Sequence, residues 1–293
     1  MRIANHDNRA VLLTSDDSGI DIYDASDGTF GPDIAGVYGR WSDFSVWAQT
    51  ALSEKVVVID RKKLGAPSPE PEQIFAIGLN YQAHQKEAGY KVSTELPPVF
   101  TKWRSSLSGP DTEVVIPDRG KVDWECELVV VIGQGGRNIA SENAWNHVAG
   151  LTIGQDFSER IRQQFGQAPQ YSLGKSFAGF APTGPWIVSP DEFADPNSIP
   201  LGSDIDGQAQ QSGTTADMIC PVPQLLEFLS KIVEFRPGDL IFTGTPSGVG
   251  IGQNPKRFLQ PGESLRSWID GIGEIRSTFR SGRPEESGVP VDS

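Results

Sequence analysis

The segment KVDWECELVVVIG, residues 121–133, most restricts what this chain can fold into. Its second half, Leu128 to Ile132, is an unbroken run of branched apolar residues. Such a short run suits a strand covered on both faces. Its first half carries Asp123, Glu125 and Glu127 at every second position. In a strand, residues i, i+2 and i+4 share a face. The three acids then point one way, and Val122, Trp124, Cys126 and Leu128 the other. Carboxylates crowded on one face repel one another and lose hydration as they near a core. Either that face is solvated or a cation lies against it, and the adjoining apolar run favours the cation.

A further acid strengthens that reading. Asp156, in GLTIGQDFSER, lies just past an apolar strand, where a turn begins. Strand ends that face loops collect binding groups. The competing role for Asp156 is a helix N-cap, for which Ser158 is the rival. Glu125, Glu127 and Asp156 together form an all-oxygen set. It suits Mg²⁺ or Mn²⁺, with Ca²⁺ also compatible, and not Zn²⁺. Three carboxylates leave about three positions of an octahedral ion for water or a chelating substrate.

The chain has three histidines. His6 falls in an expected frayed start, and His147 sits among apolar residues as a packed or surface group. His84, in GLNYQAHQKEAGY, stands four residues after a strand-to-helix turn, where Asn80 is a plausible N-cap. Glu87 follows three residues later, on the same helical face. A carboxylate there fixes the imidazole tautomer and favours the imidazolium, as a general base requires. An ordinary surface pair would show the same spacing.

At 293 residues, one large domain plus a small module is expected. The best boundary is the Pro-rich GAPSPEPEQ. It divides a β-rich module with one helix, residues 1–70, from a catalytic unit, residues 71–281. A disordered tail, 282–293, follows. Strands are short and numerous and helices few, so the fold class is mainly β with peripheral helices (α+β). The clearest helix is PVPQLLEFLSKIVEF, with Leu225, Leu226, Phe228, Leu229, Ile232 and Val233 at core spacing. A net charge of −13 with no basic stripe argues against nucleic acid or an anionic membrane as partner. No apolar run approaches a membrane span, and no signal peptide is evident. Two cysteines, Cys126 and Cys220, form no framework, which points to a reducing cytoplasm. The Gly-rich GTPSGVGIG lacks the Lys-Ser/Thr of a phosphate-binding loop.

Six segments in order resemble the fumarylacetoacetate hydrolase family. GLNYQAHQKE is similar to its G-x-N-Y-x-x-H-x-x-E segment, and VDWECELVVVIG to its D-x-E-x-E-L strand. GQDFSER, GKSFAGFAPTGPWIV, DGQAQQSGTTADMI and FTGTPSGVG resemble the remaining motifs. The resemblance covers about residues 72–280. It implies a mixed β-sandwich or β-roll catalytic fold, a homodimer, and a divalent metal held by Glu125, Glu127 and Asp156. It implies His84 and Glu87 as the water-activating pair, with Lys175 and Thr245 on substrate oxygens. Tyr81, Arg160 and Gln211 would also contact substrate. Gln155, Glu159 and Ala178 depart from the usual residues and blur which ketone is bound. The expected function is metal-dependent hydrolysis of a carbon–carbon bond in a diketo acid or β-diketone. A decarboxylase or keto–enol isomerase acting on oxaloacetate-like or hydroxy-diene diacids is the alternative. A non-catalytic metal-binding protein is the third possibility.

Overall fold

A computed structural model describes residues 1–53, 55–89, 96–168 and 170–283. The expected tail from residue 284 onward therefore lies outside the described residues. The LVVVI run forms the strand Cys126–Ile132, buried at every position. It lies inside an eleven-stranded sheet, between Val148–Gln155 and Leu240–Phe242. Continuous apolar sequence is what such a position needs, because both faces are covered. Leu128, Val130 and Ile132 face one core, with Ile153 and Leu226. Val129 and Val131 face another, with Leu240 and Phe242. Pairing is mixed: Ile74–Ile77 runs parallel to Leu240–Phe242, while most other neighbours are antiparallel. A second sheet has five strands in the order Gln208–Thr214, Pro200–Ile205, Ser264–Ile269, Gly273–Ser281, Asp111–Ile116. Its Leu201, Ile269 and Ile275 pack into the first core, so the two sheets form a sandwich.

The first strand, Arg2–His6, pairs antiparallel with Ala181–Val188, so the N-terminal strands extend the same large sheet. His6 is therefore not frayed; its Nε2 accepts from Asp60 N at 3.1 Å. The Pro-rich stretch is also tied down. Tyr38 OH donates to Pro67 O, and Ser68 Oγ to Gly238 O.

The longest helix among the described residues is Val222–Ile232, with Pro221 at its N-cap, Pro223 in its first turn, and Val222, Leu225, Leu226 and Leu229 buried. Ile232, expected in the core, is exposed, because the helix ends there and Val233 is already extended. The short helix Gln82–Glu87 is released at Gly89, whose φ is +79°. Its N-cap position belongs to Tyr81, not Asn80. Asn80 is fully buried and instead braces the bend before the helix Val222–Ile232 and the end of the strand Leu240–Phe242. Its Nδ2 donates to Cys220 O and Thr243 O, and its Oδ1 accepts from Cys220 N.

Candidate metal centre and active site

The acidic segment does not run as one strand. Val122–Asp123 pairs with Ser158–Glu159 in a separate ribbon, and the main strand begins only at Cys126. Asp123 is thereby drawn away from its neighbours. It is fully buried and accepts from Arg160 Nε (2.9 Å) and Nη2 (2.7 Å), and from the N–H groups of Trp124, Gly250 and Ile251. It is an anchor for Arg160 and for the 248–257 loop.

The other two acids meet Asp156. In the sheet register Cys126 lies opposite Gln155, which puts Asp156 beside Glu125, and Asp156 N donates to Glu125 O at 2.9 Å. One carboxylate oxygen from each of Glu125, Glu127 and Asp156 lies within 4.8 Å of the others, and all three residues are buried. Neither expected cap is used: Glu159 caps the short helix Arg160–Gln163 through the N–H groups of Ile161 and Arg162.

Three cations surround the cluster. Lys175 Nζ donates to Glu125 Oε2 at 2.7 Å and Asp156 Oδ2 at 2.6 Å. Arg160 Nη2 reaches Glu125 Oε1 at 2.7 Å. Lys102 Nζ donates to Asp156 Oδ1 at 2.6 Å and also to the Lys175 carbonyl. Burial opposes ionisation of Glu125, but Lys175, Arg160 and His84 outweigh it and bring its pKa down to about 2. Among the described residues no cation is in direct contact with Glu127; its Oε2 accepts from Gly244 N at 2.8 Å. Burial, together with Asp156 and Glu125 beside it, pushes its carboxyl well above the usual range. Four carboxylates, counting Asp123, thus face three cations. A divalent ion fits what remains. Each carboxylate oxygen has about two acceptor sites, and the oxygens of the triad keep lone pairs beyond the hydrogen bonds described. The donors are all hard oxygens.

His84 and Glu87 stand across the same cleft, with His84 Nδ1 3.2 Å from Glu87 Oε2. Glu87 is itself held by Gly248 N at 2.9 Å. The cleft has a volume of about 380 Å³ and is lined by His84, Glu87, Glu125, Glu127, Arg160, Lys175 and Thr245, among others. Tyr81 and Gln211, expected as substrate contacts, stand behind this lining. Tyr81 is buried in the apolar core, and its hydroxyl, near Glu127, has no hydrogen-bond partner among the described residues. Gln211 accepts from Cys126 N and donates to Thr245 Oγ1 at 2.7 Å. Thr245 in turn donates its hydroxyl to Cys126 O, so toward a ligand it is left only as an acceptor. Cys126 points away from the acids, its Sγ 3.4 Å from Gly202 O.

Lys102 was not foreseen. It lies just past the exposed edge strand Val99–Thr101, and nothing in PVFTKW marks it for burial.

The fold and the buried acidic triad suit a class of enzymes with a divalent-metal site. The family model for the fumarylacetoacetate hydrolase C-terminal region matches residues 73–280. Human mitochondrial oxaloacetate tautomerase FAHD2A is 39% identical over 231 residues, covering 78% of this chain and 73% of the human one. A Mycobacterium smegmatis protein provisionally named HpcE has a crystal structure that superimposes with a TM-score of 0.91 at 48% identity, covering 97% of this chain and all (100%) of that one. Maleylpyruvate hydrolase from Sphingobium sp. SYK-6, solved with manganese(II) and pyruvate, superimposes with a TM-score of 0.78 at 28% identity, covering 97% and 100%. This chain belongs to the fumarylacetoacetate hydrolase family.

Proposed function

We propose that the protein hydrolyses a carbon–carbon bond in a β-diketo or acylpyruvate-type acid. The observation that carries this reading is the meeting, across one cleft, of the Glu125–Glu127–Asp156 triad with the His84–Glu87 pair. Mg²⁺ or Mn²⁺, held by those three carboxylates, would supply Lewis acidity toward two substrate oxygens. The chain supplies the rest. Glu87, fixed by Gly248, engages His84 Nδ1 and leaves Nε2 to take a proton from water. The resulting hydroxide adds to the substrate carbonyl carbon. The carbon–carbon bond then breaks, its electron pair leaves on the enolate fragment, and the His84 imidazolium returns the proton to that carbon. Lys175 offers positive charge to the oxygen that becomes anionic.

A second reading, tautomerisation or decarboxylation of an oxaloacetate-like acid, draws on the same base. It is supported by the name of the human relative, and it would ask of His84 only that it move a proton between carbon and oxygen, without water. The experiment is product analysis with Mn²⁺-loaded protein on acylpyruvates and oxaloacetate. Two acids indicate hydrolysis, CO₂ indicates decarboxylation, and an enol–ketone change with no change in composition indicates tautomerisation. Turnover that survives both EDTA and Glu125→Ala would sink both readings. A homodimer and a cytoplasmic setting belong to the same proposal. The latter is supported by Cys126 and Cys220, both buried free thiols. Among the described residues, no helix is long and apolar enough to cross a membrane.

A further inference from the structure

We propose that Lys256, at the mouth of the cleft, is the residue that discriminates diacid from monoacid ligands by receiving the distal carboxylate. The inference rests on the reading above and adds to it the residue that senses the distal end. The cations that line the cleft differ in one respect. Arg160 and Lys175 are tied to carboxylates. Lys256 lines the same cleft, is exposed, and forms no hydrogen bond or ion pair with the described residues.

Its backbone is nevertheless fixed. Gly250 N and Ile251 N are bound to Asp123, and Arg257 N donates to Gly250 O at 3.0 Å. The Arg257 guanidinium lies over the Trp124 ring, 5.3 Å from its centroid, and donates to Glu263 at 2.7 Å. Lys256 is thus an ammonium with no partner among the described residues, on an anchored loop. Elsewhere the cleft wall includes the apolar side chains of Ile77, Leu79, Phe100 and Ile251. The cleft therefore offers a metal-type oxygen site, an apolar wall and an unpaired cation. A ligand that matches has a chelating 2-oxo acid head, a short carbon chain and a terminal carboxylate. Among the described residues, Glu87 is the only other acid lining the cleft outside the triad; it is already engaged by His84 and Gly248, so it competes little for the ammonium.

The test uses full-length protein loaded with Mn²⁺ and calorimetric titration of matched ligands. Oxalate serves as the reference chelator, and 2-oxoglutarate is set against 2-oxopentanoate, which lacks only the distal carboxylate. For the parent protein the diacid should bind about fivefold tighter than the monoacid, the size expected of one exposed charge pair. In Lys256→Gln that ratio should fall to about one, and in Lys256→Glu it should invert. Raised salt should erase it. Equal affinities in the parent, or an unchanged ratio in Lys256→Gln, would overturn the role of Lys256 while leaving the proposed function standing. Failure of oxalate to bind the Mn²⁺-loaded parent would instead remove the metal-site reading, and this proposal with it.

Discussion

The side chain of Lys102 is wholly buried, and its ammonium donates to Asp156 Oδ1 at 2.6 Å and to the Lys175 carbonyl. Burial lowers its pKa and Asp156 opposes that, so its charge depends on the acids it faces. Lys102→Met keeps the length and removes the charge. Asp156 then loses one of its two cations inside the molecule. Breaking one side of a buried pair costs about 3 kcal/mol or more, which a urea titration at unchanged m-value would register. Mn²⁺ should restore more stability to the variant than it adds to the parent, because the ion supplies the missing positive charge. Equal Mn²⁺ stabilisation of both would separate Lys102 from the metal centre. Glu125, Glu127, Asp156, His84 and Glu87 are legible in the sequence because short spacing or a strand end marks each one. Lys102 meets its carboxylate 54 positions along the chain, and local spacing carries no trace of that. Asp123 shares the alternation of Glu125 and Glu127 but not their place, because the strand breaks between it and Cys126.

The 248–257 loop is the element that joins these residues. Its N–H groups bind Asp123 at Gly250 and Ile251 and Glu87 at Gly248, so one backbone segment orients both the Arg160 anchor and the partner of His84. At Gly252 an added Cβ would come within 2.1 Å of Glu87 Cγ and 2.7 Å of its Oε1. The side chain that must yield is flexible and partly exposed, so Gly252→Ala should cost no more than about 1 kcal/mol of stability. Its effect falls on Glu87, which would leave His84 Nδ1. A fall in kcat of at least about tenfold is expected, within the range that general-base help supplies. Mn²⁺ affinity should stay that of the parent, because the triad lies on other elements. Parent-like kcat would show that Glu87 does not orient His84. A sequence reading finds this loop as a Gly-rich turn and can rule out a phosphate loop. It cannot see that its amides reach back to residues 87 and 123. The misassigned cap at Asn80 has the same origin: local rules see a strand-to-helix turn, whereas the side chain serves Cys220 and Thr243.

For the whole molecule, the fold class follows from what the sequence shows directly, namely many short strands, few helices and one doubly covered apolar run. How the first 70 residues sit does not. Their composition resembles a separate module. Yet Ile3, Ala10, Leu12, Ile20, Phe30 and Phe44 pack in one core with Val129, Val131, Leu240 and Phe242. The family match begins at residue 73, and every residue of the candidate site follows that point. We retain the division near residue 70 as a proposal about chemistry, with the catalytic groups on its C-terminal side and cover for one sheet face on the other. Cover of that kind is not dispensable. Deleting residues 1–70 would expose the Val129 face and leave Ala181–Val188 without its Arg2–His6 neighbour, opening the sheet edge at Ile187 and Val188. The fragment from residue 71 should therefore lose cooperative urea unfolding and near-ultraviolet circular dichroism, and should bind a hydrophobic dye, even with Mn²⁺ present. A fragment that unfolds at the parent's urea midpoint would show instead that the large sheet closes its core without the N-terminal strands.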